Sequence, residues 1–175
     1  MKRRKFIKKT LKWGAGLSIL TGLYSWQIEP FWMEFVHVKM PLKNLPKDLE
    51  GKILMQISDI HIGESFDYQY IIDSFKEAQA LKPDFVVYTG DYVNYDDAEQ
   101  ILQLQEVLKY AVTGSLGTIG ILGNHDYGID YAQESVASSI TKSLDKAGIT
   151  VLRNDAIELN GINFIGIDDL WGINF

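Results

Sequence analysis

Apolar residues recur along this chain in short runs separated by stretches of helical spacing. Ile53–Ser58 (ILMQIS), Phe85–Thr89 (FVVYT) and Thr118–Leu122 (TIGIL) read as three buried strands. Between them, Ile71, Ile72, Phe75, Ala78 and Leu81 predict a helix over 68–81, stopped by Pro83. Ile101, Leu104, Leu108 and Ala111 predict a second over 97–111, with Asp96 or Asp97 as N-cap. Val136, Ile140, Leu144 and Ala147 predict a third over 131–147, ended by Gly148. Strand–helix alternation of this kind predicts an α/β fold with a largely parallel sheet covered by helices. Beyond Gly148, residues 149–153, 156–159 and 162–167 read as short strands, with hairpin turns at Asn154-Asp155 and Asn160-Gly161. Residues 33–40 (MEFVHVKM) read as one more strand, and Pro41, Asn44 and Pro46 punctuate a linker over 41–51.

The head of the chain differs from the rest. Lys2, Arg3, Arg4, Lys5, Lys8, Lys9 and Lys12 give seven positive charges and no negative one over residues 2–12. The remainder holds ten positive charges against 23 negative, a net −13. So acidic a domain is a poor match for a nucleic-acid backbone, and no nucleic-acid partner is expected. Residues 13–28 are uncharged and span roughly 24 Å as a helix. Residues 1–32 therefore read as a basic region plus a signal or anchor helix, and 33–175 as the folded domain. The order Arg3-Arg4-Lys5-Phe6-Ile7-Lys8 resembles a twin-arginine export signal. A membrane contact through this helix is expected, with the domain in the bacterial cell envelope on the outer face of the cytoplasmic membrane, anchored or exported. The absence of cysteine excludes thiolate metal sites and a disulfide framework.

Each of the three buried strands ends in a polar cluster. The clusters are Ser58-Asp59-Ile60-His61, Gly90-Asp91 and Gly123-Asn124-His125-Asp126. In an open α/β sheet, ligands bind outside the carboxyl ends of the strands, so the three clusters are expected to meet. Asp59 and His61 are two apart, and on an extended chain they would face one point. Carboxylate, imidazole and amide oxygen together suit divalent Mn, Fe, Zn or Ni. Gly90 allows close backbone approach, and Gly123 permits a tight turn.

These blocks resemble the calcineurin-like metallophosphoesterases, whose signature is D-x-H, G-D and G-N-H-[DE], each after a strand. The fold implied is a layered α/β sandwich, here its N-terminal half. The resemblance implies two divalent metal ions. Asp59 and His61 would hold the first, Asp91 would bridge both, and Asn124 would bind the second. His125 would contact the phosphate and protonate the departing group, with Asp126 orienting its ring. A metal-bound hydroxide would attack phosphorus in a phosphodiester or pyrophosphate, and a membrane-linked or lipid phosphate ester is the natural substrate class.

One departure stands against this. The family supplies further metal-binding histidines from later blocks, and this chain holds only His37, His61 and His125. The expectation is a truncated chain with weak metal affinity and little activity of its own. The alternative is a non-catalytic scaffold or inactive fragment that retains the fold; a nuclease is disfavoured by the acidic charge. His37 is read as packed or exposed, Asp168 and Asp169 as turn residues or neighbours of the site. Tyr92 and Tyr127 stand beside the blocks as candidate pocket walls.

Overall fold

The computed structural model describes residues 3–63, 67–95 and 97–169. The chain forms two compact units, Met1–Pro41 and Leu42–Phe175. The first unit is built on helix α1 (Arg3–Gln27), none of whose residues is buried. A single 3-10 turn, Glu29–Phe31, follows it. Among the described residues no helix is long and apolar enough to cross a membrane. The expectation of a membrane-spanning anchor is corrected accordingly. The uncharged part of α1 is diluted by Gly14, Gly16, Ser18, Thr21, Gly22 and Ser25, and falls short of the roughly 20 predominantly apolar residues a span requires. Residues 33–40 form no strand. Alternation alone does not make one, because a strand needs a partner for its backbone donors and acceptors.

The second unit follows the strand–helix alternation. Strand β1 (Leu54–Ile57) precedes α2 (Tyr68–Ala80), β2 (Phe85–Tyr88), α3 (Glu99–Leu108), β3 (Gly117–Gly120), α4 (Glu134–Lys146) and β4 (Thr150–Val151). The four strands pair in sequence order, all parallel, so Leu54 lies beside Phe85 and Phe85 beside Gly117. Asp67 caps α2 by accepting from the amide of Gln69 at 2.9 Å. At α3 the N-cap is Ala98 rather than the expected Asp97, which stands one residue earlier and accepts from the Glu99 amide at 2.8 Å, while Asp96 lies outside the described residues. Helix α4 starts at Glu134, three residues later than the periodicity predicts. Left-handed Asp130 and Tyr131 (φ 60° and 56°) break the run before it.

Successive right-handed crossovers between neighbouring parallel strands place α2, α3 and α4 on one face of the sheet. Val86 and Tyr88 point into that face, where Ile72, Phe75, Leu104, Val107, Ile140 and Leu144 enclose them. Each such fully buried aliphatic side chain stabilises the fold by about 1.5–3 kcal/mol relative to exposure. On the opposite face Phe85 meets Phe164 at 5.4 Å between ring centroids. Phe164 belongs to an antiparallel hairpin of β5 (Asp155–Leu159) and β6 (Ile162–Gly166). Asn160 and Gly161 turn it with φ of 52° and 82°, as a two-residue hairpin requires. The second expected hairpin does not form. Asn154 is left-handed, but it carries the chain from β4 in the parallel sheet to a separate ladder.

Candidate metal centre

Beyond β1 and β2 the two chains continue side by side. The amides of Asp59, His61 and Ile62 donate to the carbonyls of Gly90, Asp91 and Tyr92 at 3.2, 3.0 and 3.0 Å, and Asn94 donates back to Ile62. Along this seam Asp59, His61 and Asp91 all have positive φ (54°, 45° and 55°). The extended-chain expectation for Asp59 and His61 is therefore corrected. A left-handed backbone brings their side chains together: His61 Nε2 lies 3.7 Å from Asp59 Oδ1 and 3.4 Å from Asp91 Oδ2. Left-handed backbone at non-glycine residues costs of order 1–3 kcal/mol each and gathers at functional sites.

The third block closes on the second by backbone contact. A Cβ at Gly90 would fall 2.8 Å from Gly123 Cα and from the Leu122 carbonyl carbon. A Cβ at Gly123 would fall 2.7 Å from the Asp91 amide nitrogen. Gly123 itself is extended (φ −101°, ψ 179°), so its role is close approach rather than a tight turn. A four-residue 3-10 turn, Asn124–Tyr127, starts there. His125 donates its amide to Asp91 Oδ1 at 3.2 Å, and its ring stands edge-on to His61 with centroids 4.9 Å apart. His125 Nδ1 lies 3.3 Å from the Asn94 carbonyl oxygen. A carbonyl only accepts, so Nδ1 carries the hydrogen and the neutral ring presents its Nε2 lone pair to the site.

His61, Asp91 and His125 thus offer three ligand atoms within 4.8 Å of one another. Two donors at about 2.1 Å from a tetrahedral ion stand roughly 3.4 Å apart. The His61–Asp91 separation of 3.4 Å has that value, so this pair of donors fits a divalent cation. Asp59, with a side chain 65% exposed, stands at the rim and accepts from the Ser58 hydroxyl. Asn124 is the first residue of the 3-10 turn that carries His125.

Asp126 does not orient His125. It is fully buried, and its carboxylate accepts from the amides of Asp91, Tyr92 and Gly123 at 2.9 Å each and from Val93 at 3.4 Å. Burial pushes its carboxyl up to about 7, and Asp91 adds to the rise, while the Gly123, Tyr92 and Val93 amides pull it down. Asp126 is the brace that holds the second and third blocks together, and the Asn94 carbonyl orients the imidazole. Tyr92 and Tyr127 are also fully buried, which removes both as pocket walls. Tyr131 takes that place: it is 37% exposed and meets the His125 ring edge-on at 5.4 Å. His37 is exposed.

Sequence reasoning missed Arg153. Its guanidinium holds Glu134 through two bonds of 2.7 and 2.9 Å, Asp168 at 3.0 Å and the Tyr127 hydroxyl at 2.9 Å. Asp168 is thus a buried ion-pair partner rather than a turn residue. The one signal for Arg153 in the sequence is a cation directly after the apolar run Ile149–Leu152.

Parallel strands that deliver imidazoles and carboxylates to one point define an α/β protein with a candidate metal centre at the carboxyl edge of its sheet. The chain belongs to the calcineurin-like phosphoesterase family, whose model matches residues 53–171. An Aquifex aeolicus metallophosphoesterase is 31% identical over 87% of this chain and 55% of its own length. The Escherichia coli phosphodiesterase YaeI is 28% identical over 97% of this chain and 61% of its own. The UDP-2,3-diacylglucosamine pyrophosphatase LpxG of Chlamydia muridarum is 28% identical over 62% of this chain and 33% of its own. The chain spans little more than half the length of the first two of these relatives.

Proposed function

We propose that this chain serves a divalent-metal-dependent hydrolase of phosphodiesters or pyrophosphates, with a lipid-linked phosphate ester as substrate. The observation that carries the reading is the convergence of Asp59, His61, Asp91 and His125 where the first three strands end. Asp59 and His61 would hold one ion, Asp91 would bridge to a second, and Asn124 would complete the second ion's set from this chain. Divalent cations held there activate water at neutral pH and neutralise charge on the phosphoryl oxygens. His125 turns Nε2 to the substrate side and, when protonated there, gives its proton to the leaving oxygen. The Asn94 carbonyl keeps the ring in that orientation throughout. The lipid-linked class is supported by the likeness to a diacylglucosamine pyrophosphatase.

A synthetic diester such as bis(p-nitrophenyl) phosphate tests the reading. In the full-length protein, turnover is expected with Mn²⁺, lost with EDTA and restored by Mn²⁺. His125→Ala should lower it about 100-fold or more, the usual share of a positioned acid. Turnover that survives EDTA, or an undiminished His125→Ala rate, would refute the proposal. A full-length protein that binds Mn²⁺ without any turnover would favour the non-catalytic scaffold.

We also propose that the basic head and the uncharged stretch of α1 direct the second unit to the outer face of the cytoplasmic membrane. The Arg3-Arg4 pair and the seven-charge basic region support this. Lysine at both Arg3 and Arg4 should leave the protein in the cytoplasmic fraction of a bacterial host. An unaltered distribution between fractions would overturn the export reading.

A further inference from the structure

We propose that Arg153, through Tyr127 and Asp168, is a positioning residue that sets where the Asn124–His125 turn stands and thereby tunes metal affinity. The inference rests on the reading of the strand-end cluster as a metal centre. Four segments meet at this guanidinium: the turn after β3, the head of α4, the residue two beyond β4 and the residue two beyond β6. Arg153 Nη1 and Nη2 grip the two oxygens of Glu134 at 2.7 and 2.9 Å. Its Nε donates to Asp168 Oδ2 at 3.0 Å, and Nη2 also donates to the Tyr127 hydroxyl at 2.9 Å. The Tyr127 hydroxyl in turn donates to Asp168 Oδ1 at 2.5 Å, and the Asp168 amide donates to Asn154 at 3.0 Å.

The inner part of the network is enclosed, while the Glu134 side chain at its outer edge is 42% exposed. The Asp168 side chain is 3% exposed and the Arg153 side chain 21%. The Arg153 guanidinium also lies 5.4 Å from the centroid of the Tyr127 ring. A planar fork with several fixed donors defines direction, which a lysine ammonium on a flexible stem does not.

The connection to the site is covalent and short. Tyr127 ends the four-residue turn that contains Asn124 and His125, and the Gly128 amide closes it by donating to the His125 carbonyl at 3.0 Å. Two adjacent side chains anchor that turn. Asp126 ties it to the amides of Asp91–Val93, and Tyr127 ties it to the Arg153 network. With both anchors set, the turn holds the His125 ring beside His61 and Asp91. Freeing the Tyr127 anchor lets the turn pivot about Asp126, and a donor displaced by a fraction of an ångström binds a cation less well.

Calorimetric titration with Mn²⁺ tests this in the parent chain, Tyr127→Phe and Arg153→Lys. Both variants are expected to bind about tenfold more weakly, the low end for an outer partner of a metal ligand. A lowered melting temperature with unchanged Mn²⁺ affinity would show a purely structural role and overturn the proposal. A second measurement needs no variant. If the network and the site are coupled, Zn²⁺ binding to the parent chain must slow amide hydrogen exchange at Asp168 and in the Asn124–Tyr127 turn. Exchange at Asp168 that ignores saturating Zn²⁺ overturns the proposal too. A parent chain that takes up neither ion refutes the metal-centre reading itself, which separates the two failures.

Discussion

Alanine at Asp91 is expected to abolish Mn²⁺ binding while leaving the fold in place. Asp91 stands at the middle of the cluster, with Oδ2 3.4 Å from His61 Nε2 and Oδ1 accepting from the His125 amide at 3.2 Å. It is the carboxylate through which the first and third blocks share the site. Removal of an outer partner costs a metal site about 10- to 100-fold, so removal of the proposed bridging ligand should cost at least about 100-fold. The fold loses one hydrogen bond and places alanine in a left-handed conformation, a penalty of roughly 1–2 kcal/mol. Asp91→Asn is the control. It tolerates positive φ and keeps an acceptor for the His125 amide, but surrenders the charge. Asp59→Ala should have the smaller effect, because its carboxylate is mostly exposed and stands at the rim. Titration with Mn²⁺, paired with a urea melt, separates binding from folding. An Asp91→Ala chain that binds Mn²⁺ as the parent does would remove the basis of the site.

How much of this is legible in the sequence follows from where each feature's cause lies. The three strands and the polar blocks behind them are local, and periodicity with strand-end polarity exposes them; β2 and β3 are buried as expected, while β1, at the sheet edge, is not. The parallel sheet follows from the alternation. The backbone at Asp59 and His61 is not legible, because it is set by bonding along the Gly90–Asn94 segment some thirty positions away. The role of Gly123 escapes the sequence for the same reason: the collision that excludes a side chain there is with Asp91. Residues 33–40 carry the alternation of a strand yet find no ladder, since pairing is a property of the partner as much as of the segment. The Arg153 network joins residues 19 and 26 positions apart, and Tyr127 to Asp168 across 41. No motif marks such a set, because charged partners that meet only in the folded state leave no periodic trace.

Loss of Asp126 should affect the fold more than any other single change at the site. Its two oxygens accept four backbone amides from two loops that touch through Gly90 and Gly123. Asp126→Ala leaves two buried and two part-buried donors unpaired, at about 1–3 kcal/mol each. A loss of at least about 4 kcal/mol follows, a large part of a typical domain's 5–15 kcal/mol. The carboxyl also gives stability a pH dependence. Burial raises it to about 7 in the folded state, against roughly 3.9 unfolded. Between those values the folded chain binds the extra proton. The contribution is therefore full below about pH 4 and is lost as pH rises through about 7. A carboxamide cannot titrate in this range, so the Asp126→Asn variant should lack this component of the slope. Urea denaturation of the parent and both variants at pH 5 and pH 8 checks each part. An Asp126→Ala chain within about 1 kcal/mol of the parent would mean that the amides find other acceptors and that the loops do not depend on this brace. A stability difference between parent and Asp126→Asn that stays constant from pH 5 to pH 8 would place the titration elsewhere.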